Sequence, residues 1–335
     1  MPTRTDGLDL EETILITRRN FVIATAAISI PRISFAKSYP TRPVSVIVGF
    51  SPGGGTDVTA RIVSKKMSTL FGQPLVVENK PGAAGTLAAG QVERAAADGY
   101  TILMNASGAY IHSILKAGDS YDPLAVCTPI AAVTKAPVVM LVNSSVPANN
   151  VGDFVKLARQ EENRFSYGSD GIAGTTQLCG DYFSKLADIK LLHVPFKGAG
   201  DSVVATVSGQ VDANFPTLPS ALPMLRAGKV KALAVSGPER SKILPDIPTF
   251  EELGYKDFGF LCWFGFVGPQ GMPADIVNQL NGVTQEAIQD KEVQDSIESQ
   301  GMETMPGTAK EWLDFMVKDA QNIKRMARLS NLQVS

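Results

Sequence analysis

Two histidines and three cysteines in 335 residues are too few, and too widely spaced, for the usual chemistry of a metal or redox protein. His112 and His193 belong to no HxxxH or HExxH pattern. Cys127, Cys179 and Cys262 form neither a CxxC pair nor a disulfide framework. Their expected role is that of small buried apolar residues, with one disulfide among them left open if the compartment is oxidising. No GxSxG elbow marks a nucleophilic serine, and acids such as Asp57, Asp170 and Asp212 occur singly. Charge is also scarce, at 19% of residues and a formal net −2, with no basic block; this argues against nucleic acid as a partner. No apolar run reaches the ~20 residues that a membrane-spanning helix needs. Neither a cofactor nor a metal is expected.

What the chain does have begins with an address. Thr17-Arg18-Arg19-Asn20-Phe21 leads into an apolar stretch to Ile30, and Ser34-Phe35-Ala36 supplies a small-x-small cleavage signal. A basic region, a short apolar core and such a site make a secretory signal peptide over 1–36. The paired arginines fit either a twin-arginine or an ordinary export signal. Removing it leaves about 300 residues, enough for two domains of ordinary size. The 44% apolar content supplies a substantial core. A soluble mature protein starting at Lys37 and located outside the inner membrane is expected.

The most informative feature follows the first apolar run, Val44-Ser45-Val46-Ile47-Val48. The run enters Gly49-Phe50-Ser51-Pro52-Gly53-Gly54-Gly55-Thr56-Asp57 and then a helical pattern. Such a turn brings backbone N–H groups close to a ligand and aims a helix N-terminus at it, which makes an anion site. It is not a phosphate loop, because Thr56-Asp57 follows where Gly-Lys-Ser/Thr is needed. The dinucleotide reading suffers from Val58 at the third small position and from the charge of Asp57.

Strand and helix signals alternate after this turn. Strands are read at 75–78, 100–104 and 130–133, with helices at 58–70 and 86–97. A second set begins with a strand at 138–142, a helix at 151–161 and a strand at 165–169 that enters Asp170-Gly171-Ile172-Ala173-Gly174-Thr175-Thr176. Further strands are read at 191–194, 211–215, 230–235 and 260–267, a short helix within 239–254, and long polar helices to the end. This order implies parallel sheets covered by helices. Each half thus carries a strand, a Gly/Ser/Thr turn and a helix. Ligands in open α/β sheets sit outside the carboxyl ends of strands, so two such turns facing each other would share one cleft. Ser51, Thr56, Ser107, Ser169, Thr175 and Thr176 are neutral donors suited to a carboxylate; some of them only cap helices. Asp212 reads equally as a turn acid or a cleft residue, and His193 as a structural histidine at a strand end.

In this order the motifs resemble one family over essentially the whole mature chain. They include Tyr39-Pro40-x-Arg42-Pro43, residues 51–57 with Arg61, Val77-Glu78-Asn79-Lys80-Pro81-Gly82-Ala83-Ala84-Gly85, Tyr167-Gly168-Ser169, His193-Val194-Pro195-Phe196-Lys197-Gly198 and Leu244-Pro245-Asp246-Ile247-Pro248-Thr249. The family is that of the Bug-type substrate-binding proteins of tripartite tricarboxylate transporters. The resemblance implies an α/β, two-lobed periplasmic binding protein of type II. Each lobe would be a mostly parallel sheet flanked by helices, with the ligand in the interlobe cleft. It further implies a first lobe of 37–135 plus 258–335 and a second of 136–257. The implied ligand is a small carboxylate (an amino acid, a di- or tricarboxylate, or an aromatic acid), handed to membrane transporter subunits or, in some members, to a sensor. Carried over, Phe50, Ser51, Gly54, Gly55, Thr56, Asp57 and Ser107 would line one side, and Ser169, Gly171, Thr175, Thr176, Phe196 and Asp212 the other. The chain departs from the family pattern in Ala173-Gly174, in Gln177 at a usual His position, and in Phe196 for Tyr. An enzyme on the same fold is the rival reading, since fold does not fix function.

Overall fold

The first apolar run forms β1 (Val44–Val48), whose valines and Ile47 are all buried, as a strand covered on both faces requires. The computed structural model describes residues 39–120, 122–161 and 164–332; the export signal read at 1–36 lies outside them. After β1 come α1 (Gly55–Phe71), β2 (Leu75–Asn79), α2 (Thr86–Glu93), β3 (Thr101–Ala106), α3 (Ser107–Ala117) and β4 (Thr128–Pro137). A second series follows: β5 (Val139–Asn143), α4 (Val151–Gln160), β6 (Ser166–Ser169), α5 (Thr175–Ala187), β7 (Leu192–Pro195), α6 (Ala199–Val207), β8 (Ala213–Asn214), α7 (Leu218–Arg226) and β9 (Val230–Val235). The chain closes with β10 (Leu261–Gly268), α8 (Ala274–Gln289), α9 (Lys291–Ser299), β11 (Glu303–Thr304) and α10 (Ala309–Leu329).

Two sheets result, one per lobe. The six-stranded sheet has the order β11-β4-β10-β3-β1-β2, and the five-stranded sheet β7-β6-β8-β5-β9. β1 pairs in parallel with β2 and β3, whereas β10 runs antiparallel between β3 and β4. In the second sheet β6 is parallel to β7 and β8, and β5 runs antiparallel between β8 and β9. The sheets are therefore mixed. In each, the majority of strands still point one way, and a strand of opposite direction carries the chain from or back to the other lobe. β4 leads directly into β5 through Val138, whose backbone exchanges hydrogen bonds with Ser236 just after β9.

Three local expectations fail for identifiable reasons. The helix read at 86–97 stops at Glu93, because the chain must turn through Asp98-Gly99 to start β3. The short helix read within 239–254 is a series of turns among prolines. Helices α3, α6 and α7 went unread: α3 starts on Ser107-Gly108, α6 on Ala199-Gly200, and α7 holds Pro219 and Pro223. Glycine and proline weaken a helical signal, yet at a first turn proline is compatible with a helix.

The three thiols are free and buried. Burial pushes Cys127 and Cys262 up to about 12 and Cys179 well above its ordinary value. Since the thiolate is the reactive form, a chromogenic disulfide reagent should find no reactive thiol in the native protein and all three after denaturation. Rapid native labelling would show that at least one thiol is reachable. No helix among the described residues is long and apolar enough to cross a membrane.

Candidate functional site

Five helix N-termini converge where the two sheets face each other. Gly54, Gly55 and Thr56 start α1, Ala106 precedes α3, Thr175 and Thr176 start α5, Ala199 starts α6, and Thr217 precedes α7; all line one void, together with Phe50, Asp170, Cys262 and Phe264. None of these five helices receives a side-chain cap from its own N-cap residue. By contrast α4, α9 and α10, away from the void, are capped by Asn150, Asp290 and Thr308. The first-turn amides of a helix have no partner within the helix, and its N-terminus carries roughly half a positive charge. A site of this kind favours an anion without any buried lysine or arginine.

The lobes touch across the void through small groups. Ser51 Oγ donates to Asp201 Oδ2 at 2.7 Å, and Ser107 Oγ lies 2.9 Å from Thr175 Oγ1 and 3.1 Å from Cys262 Sγ. The Gly55 amide donates to Ser220 Oγ at 2.9 Å, so the first lobe's leading helix takes its cap from the second lobe. Backbone meets backbone elsewhere: a Cβ at Gly171 would come within 3.1 Å of the Ala84 nitrogen, and one at Gly200 within 3.1 Å of the Pro52 carbonyl. The remaining void is about 20 Å³, room for about one water. Any larger occupant enters only by parting the lobes.

Of the residues singled out from sequence, Phe50, Gly54, Gly55, Thr56, Thr175 and Thr176 line the void itself. Ser51 and Ser107 bridge the lobes beside it, and Gly171 packs on Ala84 at its edge. Ser169 is fully buried behind the turn, its Oγ 2.6 Å from His193 Nε2, while burial pushes that imidazole down to about 4. Phe196 is half-buried, and its amide donates to the Ser169 carbonyl. Asp57 turns away from the void to Arg61, Asn79 and the Gly53 amide. Burial alone would raise this carboxyl, but those donors outweigh it and hold it below the ordinary carboxylate range.

Asp212 is not brought to the void. It stands at the amino end of β8, where its carboxylate accepts from the Ser166 amide and hydroxyl at 2.8 and 2.9 Å. β6 and β8 are parallel, so this is the end of the sheet opposite the turn after Ser169. Five lining residues went unread: Ala106, Ala199, Thr217, Cys262 and Phe264. Only Thr217 had a legible signal, a hydroxyl residue two positions before Pro219. Asp170, a single acid inside the Ser169–Thr176 turn expected to line the second side, lines the void as well. The departures also find a place: Ala173 adopts a left-handed φ of 57°, and Gln177 Oε1 accepts its amide at 2.7 Å, tying the turn to α5.

Arg61 is half-exposed and pairs with Asp57 at 2.9 Å, one helical turn away. Asp57 itself is buried and keeps Asn79 and the Gly53 amide as donors. Arg61→Ala should therefore cost more than the about 0.2–1 kcal/mol of an exposed pair and less than the about 3–5 kcal/mol of a buried one, and leave ligand affinity within twofold. Denaturant titration and calorimetry on the same variant check both halves. Lost binding at unchanged stability would make Arg61 a direct ligand.

A closed cleft between two α/β lobes, rimmed by helix N-termini and neutral donors, defines a two-lobed solute-binding protein of the periplasmic type. The chain belongs to the tripartite tricarboxylate transporter family of receptors, whose sequence profile matches residues 59–332. It is 31% identical over 311 residues to protein BugT of Bordetella pertussis, across 92% of this chain and 95% of that one. Among solved structures, the periplasmic binding protein BugD aligns with a TM-score of 0.83 at 31% identity, over 88% of this chain and 99% of that one. MatC of Rhodopseudomonas palustris, solved with bound malate, aligns at 0.80 and 31% identity over 87% and 100%. An R. palustris protein solved with adipate aligns at 0.83 and 28% identity over 88% and 99%. The family read from the motifs is the family found.

Proposed function

We propose that this protein captures a small organic carboxylate between its lobes in the periplasm and delivers it, as a monomer, to the membrane subunits of a tripartite tricarboxylate-type transporter. The observation that carries this reading is the convergence on one void of five helix N-termini, none capped by its own N-cap residue. The carboxylates bound by two similar structures, malate and adipate, support the ligand class. Within the described residues the first lobe is 39–135 with 258–332 and the second 136–257. The ligand set is Phe50, Ser51, Gly54, Gly55, Thr56, Ser107, Thr175 and Thr176, with Gly171 allowing closure.

A ligand at 100 times its dissociation constant stabilises a protein by roughly 2.7 kcal/mol. A thermal-shift screen of amino acids, dicarboxylates, tricarboxylates and aromatic acids should find at least one such compound. Sugars and cations should give no shift. Export is tested by the N-terminus of the protein recovered from the periplasm, expected at Lys37. Two membrane-subunit genes beside this one would support transport; a sensor kinase gene alone would favour a signalling partner.

Among the described residues, the contact of Ser169 with His193 is the one feature that favours an enzyme. It lacks what catalysis needs. Ser169 has no exposed surface, and no acid among the described residues orients His193. Incubation of the purified protein with its best ligand should return that ligand unchanged. Turnover would reverse this reading.

A further inference from the structure

One side chain of the void does not fit a plain carboxylate site. Asp170 is buried, 7% exposed, and lines the void among helix N-termini. Its Oδ1 is held by Thr176, accepting from the hydroxyl at 2.7 Å and from the amide at 3.4 Å. The Asp170 amide in turn donates to Thr176 Oγ1 at 2.6 Å, which fixes the whole residue. Gly174 has no side chain where a Cβ would stand 2.1 Å from Oδ1. The other oxygen, Oδ2, points across to the first lobe, 3.6 Å from where a Gly108 side chain would begin. No lysine or arginine among the described residues neutralises it. The titratable groups facing it are the thiols of Cys179 on α5 and Cys262 on β10, with His193 reached only through Ser169.

A ligand carboxylate beside Asp170 would meet a like charge at low dielectric, which is strongly unfavourable. A ligand donor beside Asp170 would instead satisfy an oxygen on a residue left with little access to water. Resting on the carboxylate reading above, we infer that Asp170 determines specificity, by requiring that the bound carboxylate also carry a hydrogen-bond donor, an amine or a hydroxyl, directed at Oδ2. The helix N-termini take the carboxylate, and Asp170 rejects the same skeleton without its donor. Burial supports this division by pushing the Asp170 carboxyl up to about 6.

The test uses matched skeletons: succinate, malate and aspartate, then glutarate, 2-hydroxyglutarate and glutamate, measured by calorimetry at pH 7.5. At least one donor-bearing member should bind the wild-type protein tenfold or more tighter than its donor-free partner. Malate against aspartate distinguishes hydroxyl from amine. Asp170→Asn keeps an acceptor for Thr176 and places an amide donor where Oδ2 was. It should therefore bind the donor-bearing acid at least tenfold more weakly and the plain diacid more tightly. In the wild type, lowering the pH from 7.5 to 5.5 protonates Asp170, so plain-diacid affinity should rise relative to that of the donor-bearing acid on the same skeleton, which controls for titration of the ligand carboxylates. This arm holds even if the variant folds poorly. Equal affinity for succinate and its donor-bearing partners, with a ranking that Asp170→Asn leaves unchanged, overturns the inference and leaves the carboxylate reading standing. Silence of both proteins toward these acids and toward every acid of the thermal-shift screen overturns the carboxylate reading itself.

Discussion

Gly171→Val and Gly200→Val should each abolish the ligand-induced rise in melting temperature, although they sit on different elements of the second lobe. Gly171 has φ +136°, a conformation that a β-branched residue adopts only under strain. Its added Cβ would stand 3.1 Å from the Ala84 nitrogen across the cleft, so the variant is strained when open and obstructed when closed. Gly200 lies in the first turn of α6 with ordinary helical backbone, and the atoms its Cβ would meet belong to Pro52, Gly53 and Gly54 of the other lobe. It blocks closure without straining the open form. A ligand at 100 times its dissociation constant should thus give the wild type roughly 2.7 kcal/mol and both variants close to nothing. Gly200→Val should keep a near-native melting temperature without ligand, whereas Gly171→Val should lose about 1–3 kcal/mol. Gly282→Val, exposed on α8 outside the cleft and with nothing within 4 Å of the added Cβ, is the control for a valine in a helix, so closure should survive. Full ligand stabilisation in Gly200→Val would mean that the lobes need not meet at Pro52 for binding.

The second large effect lies behind the cleft, where Trp263→Ala should cost about 3–5 kcal/mol. Trp263 on β10 is 2% exposed, packs edge-on against Trp312 with ring centres 4.9 Å apart, and donates from Nε1 to Asp319 Oδ2 at 2.6 Å. Truncation removes the packing and also strips a buried carboxyl of its donor. Burial pushes Asp319 up to about 6 despite that hydrogen bond. An acid raised in this way binds its proton more tightly folded than unfolded. Its contribution is therefore fully present below its unfolded value near 4 and is lost as pH rises through about 6. Asp319→Asn, which can still accept from Trp263, should gain stability relative to the wild type between pH 4 and pH 7. Urea titrations at several pH values measure this difference; a gap that stays constant would show that Asp319 does not titrate in that window.

The fold was legible where its elements are locally encoded. The valines of β1, the period of α4 and the Gly-rich turns before α1 and α5 each carry their signal within a few residues. The candidate site was legible to the extent that it uses those turns: Gly54 to Thr56 and Thr175 with Thr176 were read from sequence and line the void. α3, α6 and α7 were obscured because their first turns hold glycine or proline, and with them Ala106, Ala199 and Thr217, of which only Thr217, a hydroxyl shortly before Pro219, carried a signal of its own. The sequence by itself determined the alternation of strands and helices, the two turns and the family, since each rests on short-range patterns or on motif order. Tertiary structure decided which helix ends share a void. Parallel strands place Ser169 and its turn at one end of the sheet and Asp212 at the other, although both acids, Asp170 and Asp212, look alike in the chain. It likewise decided that Asp170 faces Gly108 across the cleft while Asp57 turns back on Arg61. The physical reason is that a helix start is set by its neighbours in sequence, whereas the direction a carboxylate faces is set by strand order and by contacts that span many tens of residues.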